Sequence, residues 1–144
     1  MSTYVDTSAL VKRYVNEANS QAFDDFVIAA DDQFVLVPLT LVEMQSVLMR
    51  RLRQRDFDRR YLKRLRSHFD DDLRAALWVV QPFPTEAFNQ AARLLETLDV
   101  ALATPDALHV ACATALGCTE FATADRQQAL AAQRCGLSIH DFSN

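Results

Sequence analysis

Short apolar strands alternating with helices predict a three-layer α/β fold around a mainly parallel central sheet of about five short strands. Three observations carry this. Runs of β-type residues recur five times, each bounded by Asp, Pro, Gly or a helix cap. Stretches with apolar residues at helical spacing separate them. No internal repeat, low-complexity stretch or linker interrupts the pattern, so residues 1–144 read as a single domain.

The elements follow in order. Thr3-Tyr4-Val5 is a strand ending in Asp6-Thr7-Ser8, which can cap a helix over about 8–14. A second helix, about 19–31, leads to strand Phe34–Val37, closed by Pro38. Thr40 and Glu43 fit a capping box, with Leu41, Met44, Leu48 and Leu52 following at helical spacing. A helix over about 58–76 puts Leu62, Leu65, Phe69, Leu73 and Ala76 on one stripe and its basic residues largely on the other side. Trp78–Val80 is the third strand, and Phe88, Ala91, Ala92, Leu95 and Leu98 mark a helix over about 85–98. Thr104-Pro105-Asp106 opens another helix, with Thr as cap and Pro at the first position, and Gly117 ends it. Glu120–Ala122 is a strand, Thr123–Asp125 caps a helix that Gly136 ends, and Leu137–His140 is the last strand.

Composition bounds the function. Apolar residues are 50 % and charged residues 24 %, with two glycines and four prolines, which excludes a disordered or collagen-like chain. Three cysteines without a CxxC pair argue against a disulfide framework or a zinc knuckle and are expected to be buried as small hydrophobes. No stretch suits a leader or a membrane span, so a soluble, cytoplasmic domain is expected. Net charge is −4, unevenly spread: residues 50–66 hold nine Arg/Lys against Asp56 and Asp58. Such asymmetry points to a polyanionic partner or to a solvated helix face with local ion pairs.

Asp6, Glu43, Asp106 and Asp125 each fall at the start of a predicted helix. In a parallel sheet the strand-to-helix turns share the carboxyl edge, where open α/β folds place ligands. Asp6, Glu43 and Asp125 should converge there; the helix of Asp106 follows another helix, which weakens its case. Each acid alone is explained as a cap or as an answer to the helix dipole. Four on one edge exceed what capping requires, since gathered anions repel. A hard cation such as Mg²⁺ or Mn²⁺, as one or two ions, prefers such oxygens and can promote in-line phosphoryl displacement.

The segments YVDTSALVKRY (4–14), TLVEMQSVL (40–48), TPDALHVACA (104–113) and FATADRQQALAAQRCGL (121–137) resemble, in this order, the PIN-domain ribonucleases, most closely the VapC-type toxins of toxin–antitoxin pairs. The resemblance implies a PIN-like α/β/α fold and a metal-dependent endoribonuclease acting on cellular RNA. It implies Asp6 and Asp106 as direct Mg²⁺ ligands, with Asp125 and Glu43 completing the site, and Ser8 and Thr123 as hydroxyls lining it. It further implies a small antitoxin occupying the acidic groove, a homodimer, and a protruding clip formed by the helix pair at about 40–76. Arg50, Arg51, Arg59, Arg60, Lys63 and Arg64 are candidates to bind RNA or antitoxin, and Arg forks suit phosphate and carboxylate alike.

His109 lies three residues after Asp106, but hard ions prefer oxygen and its neighbours are apolar, so packing is expected rather than ligation. Phe57 and Tyr61 interleave with the arginines, either to stack on bases or to pack in the core. An aspartyl-phosphate mechanism is disfavoured, because Asp6 is followed by Thr7-Ser8 and the only lysines are Lys12 and Lys63. The glycines at 117 and 136 cannot build a P-loop. A non-catalytic PIN-fold module that binds RNA or protein is the alternative.

Overall fold

A computed structural model describes residues 1–144. Five strands, β1 (Ser2–Val5), β2 (Gln33–Leu36), β3 (Trp78–Val80), β4 (Glu120–Thr123) and β5 (Ser138–Asp141), form one sheet in the order β3-β2-β1-β4-β5. Every pairing is parallel. The chain builds outward from β1 through β2 to β3, then returns to place β4 on the other side of β1. The order therefore reverses between β1 and β4, and this switch point lies at the middle of the sheet.

Seven helices cover it: α1 (Thr7–Tyr14), α2 (Ser20–Ala29), α3 (Pro38–Arg53), α4 (Arg59–Arg74), α5 (Ala87–Thr97), α6 (Thr104–Ala115) and α7 (Arg126–Arg134). Alternating strand residues divide the core in two. Val5, Phe34, Leu36, Trp78 and Ala122 pack with Leu10, Phe23, Met44 and Leu62 of α1–α4. Tyr4, Val35, Val37 and Phe121 pack with small residues of α5–α7, among them Ala91, Ala107, Ala111 and Ala132. The three layers predicted from the sequence are thus present, and no helix is long and apolar enough to cross a membrane. Cys112 and Cys118 are buried as expected, and Cys135 is half-buried.

Three local expectations need correction. Helix α3 begins at Pro38, not Thr40: proline's fixed φ suits the first helical position, and Val37 is the cap. The Thr40 hydroxyl accepts from the Val37 N–H at 3.4 Å, and Glu43 sits in the second turn with no capping role. Thr104 is likewise already helical, with Ala103 at the cap. Ala76 lies beyond α4 at φ 58, the left-handed conformation that reverses the chain, and so drops out of the apolar stripe. Gly117 and Gly136, at φ 72 and 88, end α6 and α7 as predicted.

A buried polar cluster ties α1, α4 and β3 together. Asp72 accepts from Arg13 Nε (2.8 Å) and from the Tyr14 hydroxyl (2.5 Å), which itself accepts from Trp78 Nε1 (2.6 Å). Arg13 also reaches Asp24 at 3.1 Å, bringing in α2. Burial raises the Asp72 pKa, but the Arg13 and Tyr14 bonds outweigh it and hold the carboxyl below its ordinary 3.8. A folded-state pKa below the unfolded one contributes stability above the unfolded value and loses it as pH falls through the folded value. Asp72→Asn is expected to lower stability by about 2–3 kcal/mol at pH 7, the cost of disturbing buried charge-assisted bonds. Urea unfolding at pH 7 and again below about pH 4 checks this, since the gap between variant and wild type must narrow in acid.

Candidate active site

The carboxyl edge at the switch point gathers the four acids. Asp6 follows β1 directly, and its N–H extends the ladder to Ala122 O (3.1 Å). It caps α1, with Oδ1 accepting from Ala9 N at 3.1 Å. Ser8 Oγ lies 2.8 and 3.0 Å from its two oxygens, and Thr123 Oγ1 donates to Oδ2 at 3.1 Å. Only 4 % of the residue is exposed. Burial pushes the Asp6 pKa to about 6, although nearby His109 and these donors pull it down.

Glu43 enters from α3. Its Oε1 accepts from Thr7 Oγ1 (2.8 Å) and is in close contact with His109 Nε2. Burial alone would raise its pKa, but His109 and Thr7 reverse the effect and hold the carboxylate ionised. Asp125 caps α7 through Gln128 N (3.0 Å). Asp106 is the third residue of α6, and no donor of the protein reaches its carboxylate. Burial, then the charges of Asp125 and Glu43, raise its pKa above the ordinary value.

All four acids, with Thr7, Ser8 and His109, line one cleft of about 520 Å³. Asp106, whose place the pattern left weakest, is brought in because α6 packs beside α7. Gln128, fully buried, bridges the two: its Nε2 donates to Asp106 O (3.4 Å) and its Oε1 lies 3.1 Å from Thr123 Oγ1. Helices α1, α6 and α7 all direct their N-terminal ends at the acids, which offsets part of their mutual repulsion.

The far end of the cleft is basic. Arg50 and Arg51, from the last turn of α3, line it with Lys12. Lys12 is 6 % exposed, its Nζ held by Ala18 O (2.6 Å) and Glu17 (3.2 Å), and Glu17 also pairs with Arg51. Arg51 is shared with a neighbouring pocket of about 390 Å³ that holds Phe57, Tyr61 and Arg64. Phe57 and Tyr61 stack on each other at 5.1 Å and pack partly against the core. Of the other basic candidates, Arg59 and Lys63 line shallow pockets away from the acids, and Arg60 is exposed on α4.

Sequence reasoning missed Tyr4, Thr7, Lys12, Glu17 and Gln128, and read His109 as packing. His109 is indeed 1 % exposed, but both ring nitrogens are engaged: Nδ1 lies 2.6 Å from the Tyr4 hydroxyl, and Nε2 faces Glu43. Its place one turn after Asp106 was the available signal; the apolar neighbours obscured it.

The donor chemistry fits a hard divalent cation. Asp6, Asp106 and Asp125 offer carboxylate oxygens, and the upward shifts of Asp6 and Asp106 show negative charge held at a cost that a cation would relieve. No three of these groups stand together at ligating distance, so holding one ion among them requires side-chain rotation. Asp106 is free to rotate because nothing in the protein holds its carboxylate.

The Asp6 shift has a thermodynamic consequence. Its folded-state pKa, about 6, lies above the ordinary 3.8, so the native state binds this proton more tightly and stability falls as pH rises through that interval. Asp6→Asn is expected to stabilise the metal-free protein by up to about 2 kcal/mol above pH 7 and by nothing below about pH 4. Thermal denaturation in a chelating buffer at the two pH values reads this directly; a variant less stable at both would contradict it.

A model of the PIN domain matches residues 3–133. No curated protein matches the sequence. The fold is similar to that of Mycobacterium tuberculosis VapC20, a sarcin–ricin-loop-cleaving toxin, at 17 % identity and TM-score 0.69, over 90 % of this chain and 94 % of that one. It is also similar to a chain of Rickettsia felis VapBC2 bound to a promoter DNA fragment (15 %, 0.69, 99 % of each chain) and to one of FitAcB from Neisseria gonorrhoeae (14 %, 0.67, 96 % of each). Identities this low show the shared fold. The family-model match over nearly the whole chain, with the acids placed at the sheet's switch point, makes this chain a member of the PIN-domain family.

Proposed function

We propose that this protein is a metal-dependent endoribonuclease, the toxin of a VapC-type toxin–antitoxin pair. The observation that carries the reading is the convergence of four carboxylates from four separate helix starts and turns into one cleft with a basic far end. Caps alone need no such convergence, and at Asp106 the charges of Asp125 and Glu43 add to burial in raising the pKa. The toxin part of the reading draws on the fold shared with VapC20 and with the VapBC2 and FitAcB complexes.

In this reading Asp6, Asp106 and Asp125 hold one or two Mg²⁺ or Mn²⁺ ions, with Glu43 completing the set. When bound, the metal supplies Lewis-acid stabilisation of the phosphoryl group and a more acidic water. Ser8 and Thr123 keep Asp6 in place by donating to its oxygens. Glu43, ionised and held by two donors, orients a water or takes its proton. Arg50 and Arg51 receive flanking phosphates, attracting the polyanion to an otherwise repulsive cleft. A small antitoxin would compete for the same cleft with a basic side chain set among the acids. Self-association as a homodimer belongs to the same reading, with Phe88 (59 % exposed) and Leu95 (43 %) seven residues apart on α5.

RNA cleavage by the purified chain with Mg²⁺ or Mn²⁺, with EDTA, and with the Asp6→Asn/Asp106→Asn double variant tests this, each sample verified as folded by circular dichroism. Cleavage should require metal and fall at least about 100-fold in the double variant. RNA binding should survive in the variant and weaken as salt rises. Equal cutting by both proteins would overturn the assignment, and binding with no metal-dependent cleavage would leave a non-catalytic module.

A further inference from the structure

Within the cleft, one carboxylate is held differently from the rest. Glu43 Oε1 takes both its donors, Thr7 Oγ1 and His109 Nε2, while no group of the protein reaches Oε2. Behind His109 stands Tyr4, fully buried on β1, with its ring stacked on Phe121 at 5.4 Å and its hydroxyl 2.6 Å from His109 Nδ1. The carboxylate end sets the direction of the first bond. An ionised carboxylate can only accept, so Nε2 carries a proton and donates to Glu43. The other ring nitrogen, Nδ1, has the buried Tyr4 hydroxyl as its hydrogen-bond partner. Tyr4, His109 and Glu43 form a continuous chain from the centre of the sheet to the cleft, joining β1, α6 and α3.

We propose that His109 is a positioning residue: with Tyr4 behind it, the imidazole fixes Glu43 in one pose and leaves a single carboxylate oxygen for the chemistry of the cleft. Packing alone does not account for this arrangement. A histidine buried merely as a core residue needs its polar atoms satisfied, but not by a carboxylate that lines an open cleft. The second-row partner of a site carboxylate or imidazole typically sets its orientation, and losing it costs about 10–100-fold in activity or metal affinity. Asp106 shows the contrast, since its carboxylate has no such support and is free to adapt. The cleft therefore combines an acid held by two donors, Glu43, with one that no protein group holds, Asp106.

What Glu43 then does rests on the nuclease reading; the hydrogen bond can be tested without it. Ring ¹⁵N shifts of His109 in the metal-free protein should show the proton on Nε2, with a downfield, exchange-protected signal that moves in Glu43→Gln. A bare Nε2 with the proton on Nδ1, or a signal indifferent to Glu43→Gln, would overturn the proposal. In the cleavage assay with metal, His109→Leu should lower kcat about 10–100-fold with little change in KM for RNA. His109→Gln, whose amide can donate from near the Nε2 position, should restore activity to within a few-fold of wild type. Equal losses in both variants, tracking their loss of melting temperature, would mark a purely structural histidine and overturn the proposal. If His109→Leu does not fold, the ring shifts and the Gln variant decide. If wild type cuts no RNA, the nuclease reading falls, and the ring shifts alone decide whether His109 holds Glu43.

Discussion

Carboxylates buried together in one cleft are the constraint around which this structure is arranged. Four acids lining one cleft oppose folding unless something opposes them in turn. Three helix N-termini are directed at the cleft: all bring a favourable dipole, and α1 and α7 also supply backbone donors, Ala9 N to Asp6 and Gln128 N to Asp125. Asp6, the most buried of the four, takes donors from Ala9, Ser8 and Thr123, yet burial still pushes its pKa up to about 6. The cost of burying this charge remains after those donors are counted.

The basic residues answer the same constraint at longer range. Lys12, Glu17 and Arg51 make a linked group at the far end of the cleft, so Glu17 neutralises one basic residue while fixing two. Arg50 stands beside them and has no carboxylate partner among the ion pairs. The cleft thus grades from a deficit of positive charge at the switch point to a surplus where α3 ends.

The rest of the fold serves to hold these elements still. Strand β1 is central in the sheet and contributes Tyr4 to one face and Val5 to the other, so the two cores meet at the strand that ends in Asp6. On one side the Asp72 cluster locks α1, α4 and β3, anchoring the helix that Asp6 caps. On the other side the alanine-rich faces of α6 and α7 allow close approach, which is what places Asp106 beside Asp125. The site's geometry is a consequence of packing on both faces.

The local pattern determined more than the element types. Strand and helix order, the three-layer architecture, the caps at Asp6 and Asp125, and the terminating glycines were legible because each rests on contacts within a few residues. So were the four acids, and the order of the segments around them carried the family resemblance. Tertiary structure decided what depends on residues far apart in the chain. Glu43 looked like half of a capping box, yet Pro38 starts the helix earlier and frees the side chain for the cleft. Asp106 reaches the site only through the α6–α7 packing. His109 looked apolar in its surroundings, and its partners Tyr4 and Glu43 lie 105 and 66 residues away. Gln128 and Lys12 carry no mark in the sequence that separates them from surface residues. The basic run could be read only as charge; folding assigned Arg50 and Arg51 to the cleft and left Arg59, Arg60 and Lys63 outside it, because the turn between α3 and α4 carries the second half of the run away.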